Sequence, residues 1–145
     1  MLRDYCTLVR PRIVAMNVLG MFVAAWTAGP QPPAWPALIH ALAGMSLVIA
    51  GAVALNQRLE FRGDAKMPRT ATRPLPSGRL SHRQVTAFGL AASAAGLGYL
   101  LLLAANPLPV ALTAASWLIY VGTYTPLKSR TAWQTPIGAM AGAMP

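Results

Sequence analysis

Four long apolar stretches and the beginning of a fifth organise this chain, and the breaks between them are short and chemically distinct. Residues 13–28 are apolar and stop at Gly29-Pro30-Gln31-Pro32-Pro33, a cluster that breaks any helix. Residues 37–55 follow and run into a polar segment. Residues 84–105 stop at Asn106-Pro107-Leu108-Pro109, and residues 110–124 stop at Thr125-Pro126. A fifth run begins near Pro136. Between Ile13 and Gln57, and again between Gln84 and Leu127, there is no Asp, Glu, Lys or Arg. Runs of this length and purity predict membrane-spanning helices. A soluble helical core would need polar helix faces, and these stretches hold too few polar residues to make them. Trp26 and Trp35 flank the first break, as expected at a membrane interface.

Composition sharpens this picture. Of 145 residues, 55% are hydrophobic and 10% charged, against about 25% charged in a soluble domain. The net charge of +9 sits in the short connections. The N-terminal arm, the 56–83 segment and the segment after Pro126 are positive, while the breaks near Gly29 and Asn106 carry no charge. That alternation predicts a cytoplasmic N-terminus and cytoplasmic basic loops in a multi-pass protein of the inner membrane. Nucleic-acid binding is excluded as the source of the charge, because the basic segment lacks interleaved aromatics on which bases would stack. Cys6 is the single cysteine, so there is no internal disulfide and no cysteine metal cluster. The N-terminal run has no convincing cleavage site and reads as the first membrane helix rather than a secretory signal. Ala and Gly abound in the helices, which suits close helix packing in lipid; Gly138 and Gly142 form one small-xxx-small pair. The fifth run ends after ten residues at Pro145, short of the about 20 needed to cross a bilayer. The expectation is an N-terminal fragment of one transmembrane domain, residues 1–145.

The chemistry concentrates in residues 56–83. Asn56, Glu60 and Asp64 stand four residues apart each, and Glu60 and Asp64 are two of only three acidic residues. If the second helix continues through them, positions i, i+4 and i+8 drift only about 40° per step and share one face. One amide and two carboxylates supply the oxygen ligands that Mg²⁺ prefers, beside substrate phosphates and waters. The alternative is a solvated face on which Glu60 and Asp64 pair with Arg58, Arg62 or Lys66. Arg69 and Arg73 lie on a segment punctuated by Pro68, Pro74, Pro76 and Gly78. It reads as a shaped loop whose guanidinium groups can grip diphosphate oxygens. His40 and His82 each lack a partner at metal-ligand spacing, and the methionines show no copper pattern. Tyr120 and Tyr124 share a helix face beside a basic loop.

Residues Asn56-Gln57, Glu60, Asp64, Met67, Arg69-Thr70 and Arg73-Pro74-Leu75-Pro76-Ser77-Gly78, at these spacings, resemble the first metal-diphosphate motif of the UbiA-type intramembrane prenyltransferases. Tyr124-Thr125-Pro126-Leu127-Lys128, Arg130-Thr131 and Ile137-Gly138-Ala139 with Gly142-Ala143 and Pro145 resemble the haem-farnesylating branch of that family. Asp4-Tyr5 and Arg10-Pro11-Arg12 fit its entry to the first helix. The resemblance implies an all-α, polytopic transmembrane bundle of about nine helices around a central cavity, of which this chain supplies four and part of a fifth. It implies transfer of farnesyl from farnesyl diphosphate to a vinyl group of haem b, giving haem o, which a downstream haem a synthase would consume. Haem b is then a substrate, not a cofactor. Asn56, Glu60 and Asp64 would hold Mg²⁺ and diphosphate. Arg69, Arg73, Lys128 and Arg130 would bind phosphate oxygens, with Lys128 also catalytic. Tyr120 or Tyr124 would shield the allylic cation with its ring face. Many members carry Asp where this chain has Glu60, which is one methylene longer with the same charge. The family's second acidic motif has no counterpart, since no Asp or Glu follows Asp64; the fragment alone is expected to be inactive. Two other classes stay open: a prenyltransferase with a quinone-precursor, chlorophyll or lipid acceptor, and a non-enzymatic membrane subunit with a polybasic lipid-binding loop.

Overall fold

The computed structural model describes residues 2–29, 33–103 and 107–125, and these are helical with short connections. Lys128, Arg130, Gly138, Gly142 and the fifth apolar run lie outside the described residues. Helix α1 spans Leu2–Val9, α2 Pro11–Thr27, α3 Trp35–Leu59, α4 Phe61–Asp64, α5 Pro68–Ala71, α6 His82–Leu103 and α7 Leu108–Leu118, with a π-helical turn over Ile119–Tyr124. Among the described residues, α3 and α6 are each long and apolar enough to cross a membrane. Helices α1 and α2 together make a third candidate, bent by 48° at Arg10. Leu108–Tyr124 is apolar but shorter.

Helix starts follow local chemistry. Pro11 and Pro36 occupy first-turn positions of α2 and α3, where a missing N–H costs nothing. At the start of α6, the Ser81 backbone N–H donates to Gln84 Oε1 at 2.8 Å. The Gln84 N–H returns to Ser81 Oγ at 3.2 Å, a reciprocal cap.

The core of the fold is the antiparallel α3–α6 pair. Gly51 meets Gly89, and Gly44 meets Gly96, one heptad further along on each helix. A Cβ on Gly51 would stand 2.5 Å from the Gly89 carbonyl oxygen, and one on Gly96 2.7 Å from the Gly44 carbonyl oxygen. Only glycine lets two backbones approach so closely, the usual means of helix association in lipid. Beyond this seam, toward the basic loop, Leu8, Ala54, Leu75, Leu80 and Val85 form a buried cluster. At the opposite end Phe22, Trp26 and Trp35 form an aromatic group with centroids 6.0–6.4 Å apart. His40 Nδ1 and the Tyr99 hydroxyl share a hydrogen bond of 2.6 Å between α3 and α6. His40 thus has a structural partner, and His82 sits edge-on to Phe61 at 4.5 Å.

Two expectations need correction. The second helix starts at Trp35 and ends at Leu59 rather than running unbroken through residue 64; Glu60 turns at φ −83°, ψ 1°. The fourth run is α-helical only to Leu118 and widens into the π turn. The N-terminal arm, to which the sequence pattern assigns no element, is a separate eight-residue helix, α1.

Candidate functional site

The polar end of α3 keeps its register through the break at Glu60. The Glu60 N–H donates to the Asn56 carbonyl at 2.9 Å, and the Asp64 N–H donates to the Glu60 carbonyl at 2.9 Å. These two i+4 backbone bonds therefore survive the break. Asn56 and Asp64 are buried at 5% and 6% exposure; Glu60 is half-buried. Asn56 Nδ2 donates to Glu60 Oε2 at 3.2 Å.

Asp64 takes its cation from an unexpected distance along the chain. Arg73 Nη1 donates to Asp64 Oδ2 in a close ion pair, so none of Arg58, Arg62 or Lys66 is its partner there; all three are exposed. The turn that brings Arg73 back is itself tied to Asp64, because Thr70 Oγ1 donates to the Asp64 carbonyl at 2.7 Å. The loop continues as a shaped element: Pro74 and Leu75 are buried, and Gly78 adopts φ +75°, a conformation open to glycine without strain. Arg79 closes the loop, donating from Nη2 to the Thr72 carbonyl at 2.9 Å and from Nε to Asp4 Oδ1 at 2.8 Å. Arg69, expected beside Arg73, is exposed on α5 and is not drawn into the Asp64 pair.

A second arm of the site comes from the π turn. Tyr120 and Tyr124 stack at 5.5 Å with an interplanar angle of 17°. The extra residue of the wider turn delivers Thr125 to α3. Thr125 Oγ1 lies 2.9 Å from Asn56 Oδ1 and 2.8 Å from the Tyr120 carbonyl. A hydroxyl donates one proton at a time, so both acceptors compete for it. Contact with the Thr125 hydroxyl at Oδ1 and donation to Glu60 from Nδ2 fix which way the Asn56 amide points. The sequence shows Thr125 within the Tyr124–Lys128 motif and at the helix stop before Pro126, but gives its side chain no role. π turns of this kind recur at functional sites.

Arg10 is the third arm, also unassigned by sequence reasoning. It sits between α1 and α2, half-buried, with φ 52° and ψ 72°. Its charge interacts with those of Arg73, Asp64 and Glu60, and with Tyr120. These are the groups of the site, so Arg10 shares their electrostatic environment.

An apolar cavity of about 540 Å³ lies between α2, α3 and α7, within the 300–1,000 Å³ usual for ligand pockets. Met16 and Met21 from α2, Val48 and Ile49 from α3, and Trp117 and Tyr120 from the α7 arm line it. Trp117 Nε1 donates to Ser93 Oγ at 2.9 Å, which pins that wall to α6. Tyr120 belongs to both cavity and cluster. Among the described residues no group of three or more His, Cys, Asp and Glu comes together. The donor set of Asn56, Glu60 and Asp64 is all oxygen, with two carboxylates, which suits a hard divalent cation completed by ligand phosphates.

A family model described as the UbiA prenyltransferase family matches residues 17–145. The chain is 40% identical to protoheme IX farnesyltransferase of Solibacter usitatus, over 99% of this chain and 52% of that protein. It is 42% identical to the protein of that name in Rhodopirellula baltica, over 95% of this chain and 48% of the relative. For the Geobacter sulfurreducens protein of that name the values are 43%, 100% and 52%. The chain spans about half the length of the curated relatives it matches.

Proposed function

The chain belongs to the UbiA prenyltransferase family, and from that premise we propose that the protein is a haem o synthase, transferring farnesyl from farnesyl diphosphate to a vinyl group of haem b. The observation that carries this reading is one polar cluster, Asn56–Glu60 with Asp64–Arg73, linked through Thr125 to Tyr120 in the wall of an apolar cavity. A prenyl diphosphate has the same division, a charged head on a hydrocarbon tail. The family and the apolar helices make the chain an integral membrane protein. The basic loops and the N-terminus face the cytoplasm of the inner membrane in this proposal, because their positive charge is concentrated on one side.

In the proposed mechanism Asn56, Glu60 and Asp64 would hold Mg²⁺, which would supply charge neutralisation to the departing diphosphate. Arg73 grips phosphate oxygens from its fixed turn, with Arg69, Lys128 and Arg130 as further phosphate contacts and Lys128 in a catalytic role. The C1–O bond of the allylic diphosphate breaks and its electron pair leaves with diphosphate. The terminal vinyl carbon of haem b bonds to C1, and the cation left on the other vinyl carbon takes the oxygen of a water, which loses a proton, to give the hydroxyl of haem o. The stacked Tyr120 and Tyr124 rings present π faces near the ionising carbon. The cavity walls hold the farnesyl tail and exclude water from the allylic cation. Haem o then passes to an enzyme of the haem a synthase class.

The test is an acceptor competition. Membranes carrying the complete protein, supplied with farnesyl diphosphate and Mg²⁺, are expected to convert haem b to haem o and to leave 4-hydroxybenzoate unprenylated. Prenylation of 4-hydroxybenzoate with haem b untouched would move the protein to a quinone-precursor acceptor.

A further inference from the structure

We infer that Arg10 is an anion-binding residue of this site, offering Nη2 to an oxyanion of a substrate, and that α1 is the strut that holds it there. The inference rests on the prenyl-transfer reading and adds a residue and an element to it.

Arg10 Nη2 is buried and, among the described residues, has no hydrogen-bond partner. A guanidinium nitrogen left so is costly, since a buried donor without an acceptor carries its full desolvation penalty. Its surroundings make the cost greater. Arg73 bears the same charge, and the two cations repel across the site. Asp64, one of the charges that compensate it, is engaged by Arg73. An anion entering between Arg10 and Arg73 would meet the unfilled donor and turn mutual repulsion into shared attraction. The oxyanion has two sources in this reaction, a phosphate oxygen of the prenyl diphosphate or a carboxylate of the acceptor, and both suit a guanidinium.

The backbone is also held in an unusual state. Among the described residues Arg10 alone of the non-glycine residues has positive φ, a strained conformation that surrounding structure must impose. Ties on α1 and α2 impose it. Leu8 is fully buried, and its carbonyl accepts from Gln57 Nε2 at 2.5 Å. Tyr5 packs on Phe88 with centroids 5.2 Å apart. Asp4 is paired with Arg79 at 2.8 Å. On the other side, Pro11 opens α2, and the Ile13 N–H donates to the Arg10 carbonyl at 2.9 Å. Helix α1 thus docks on α3, α6 and the loop, and the kink turns the next side chain inward.

The experiment uses the complete protein in detergent with Mg²⁺ and inorganic pyrophosphate as probe, read by calorimetry, together with KM for haem b. Arg10→Gln is expected to weaken pyrophosphate binding about 10–100-fold with acceptor KM unchanged, and Arg10→Lys to recover part of it. If Arg10→Gln instead leaves pyrophosphate within twofold and raises acceptor KM about tenfold or more, the oxyanion is the acceptor's carboxylate and Arg10 still binds it. Both values within twofold of wild type would overturn the inference. Asp4→Asn, which loosens α1 without touching Arg10, is expected to weaken the same ligand, with no further loss when combined with Arg10→Gln. Full additivity would overturn the strut. Calorimetry does not depend on turnover. Wild-type protein that binds pyrophosphate yet leaves haem b unfarnesylated would end the haem reading and spare Arg10.

Discussion

Arg73 reaches back nine positions along the chain to hold the carboxylate of Asp64, with the two side chains only 18% and 8% exposed. A pair so far from water gains little net stability, because both charges have lost their hydration. Its value lies in position: it holds a carboxylate and a guanidinium in one cluster with Asn56 and Glu60. When a metal diphosphate binds, each partner has somewhere else to go, Asp64 to the cation and Arg73 to a phosphate oxygen.

The Asp64 end of this pair gives the first prediction. Asp64→Ala in the complete protein removes a metal oxygen and leaves Arg73 beside Arg10 without its counter-charge. Haem o formation is expected to fall by at least about 100-fold, with the protein still in the membrane fraction. Chromatography of extracted haems and an immunoblot of membranes check both halves. Activity within tenfold of wild type would remove Asp64 from the site.

Metal dependence gives the second. Two carboxylates and one amide form an incomplete cage that needs ligand phosphates to finish it. Chelation of divalent cations is therefore expected to abolish turnover and to weaken pyrophosphate binding together, with Mg²⁺ restoring both. Pyrophosphate binding that survives chelation intact would place the anion on arginines alone.

How far the chain could be read before folding differs by element. The Asn56, Glu60 and Asp64 spacing is visible in sequence because helical spacing is local, and two i+4 backbone bonds survive even though the helix breaks at Glu60. The shaped loop is visible too, since proline and glycine act through their own backbones. The Asp64–Arg73 pair is not, because a nine-residue reach depends on the turn at Pro68–Ala71. Helix α1 is hidden by its charges, although Tyr5 and Leu8 stand at i, i+3 on its buried side. Gly44, Gly51, Gly89 and Gly96 show a heptad spacing in sequence, but which glycine faces which follows only from the antiparallel register.

That register supports the third prediction. A methyl group on Gly51 would sit 2.2 Å from Ser93 Oγ, 2.5 Å from the Gly89 carbonyl and 2.7 Å from the Ser93 amide nitrogen. Two of these are backbone atoms on a packed helix, which cannot swing aside. Gly51→Ala is expected to cost about 1–3 kcal/mol and to lower the thermal midpoint in detergent. Gly20→Ala, where nothing stands within 4 Å, is expected to leave that midpoint unchanged.

The last prediction concerns Thr125, whose hydroxyl lies within hydrogen-bond reach of Asn56 Oδ1. Thr125→Val keeps the shape and deletes the proton, leaving the buried Asn56 oxygen without that donor, at a cost of about 1–3 kcal/mol. The amide is then freer to turn, and the hydrogen bond by which its Nδ2 positions the Glu60 carboxylate is no longer fixed. Turnover is expected to fall about tenfold or more by the same energy, with affinity for Mg²⁺ weakened alongside it. Thr125→Ser retains the hydroxyl and is expected to restore most of the activity, which a purely steric role for Thr125 would not produce. Equal loss in both variants would mean that Thr125 packs the π turn and does not orient Asn56.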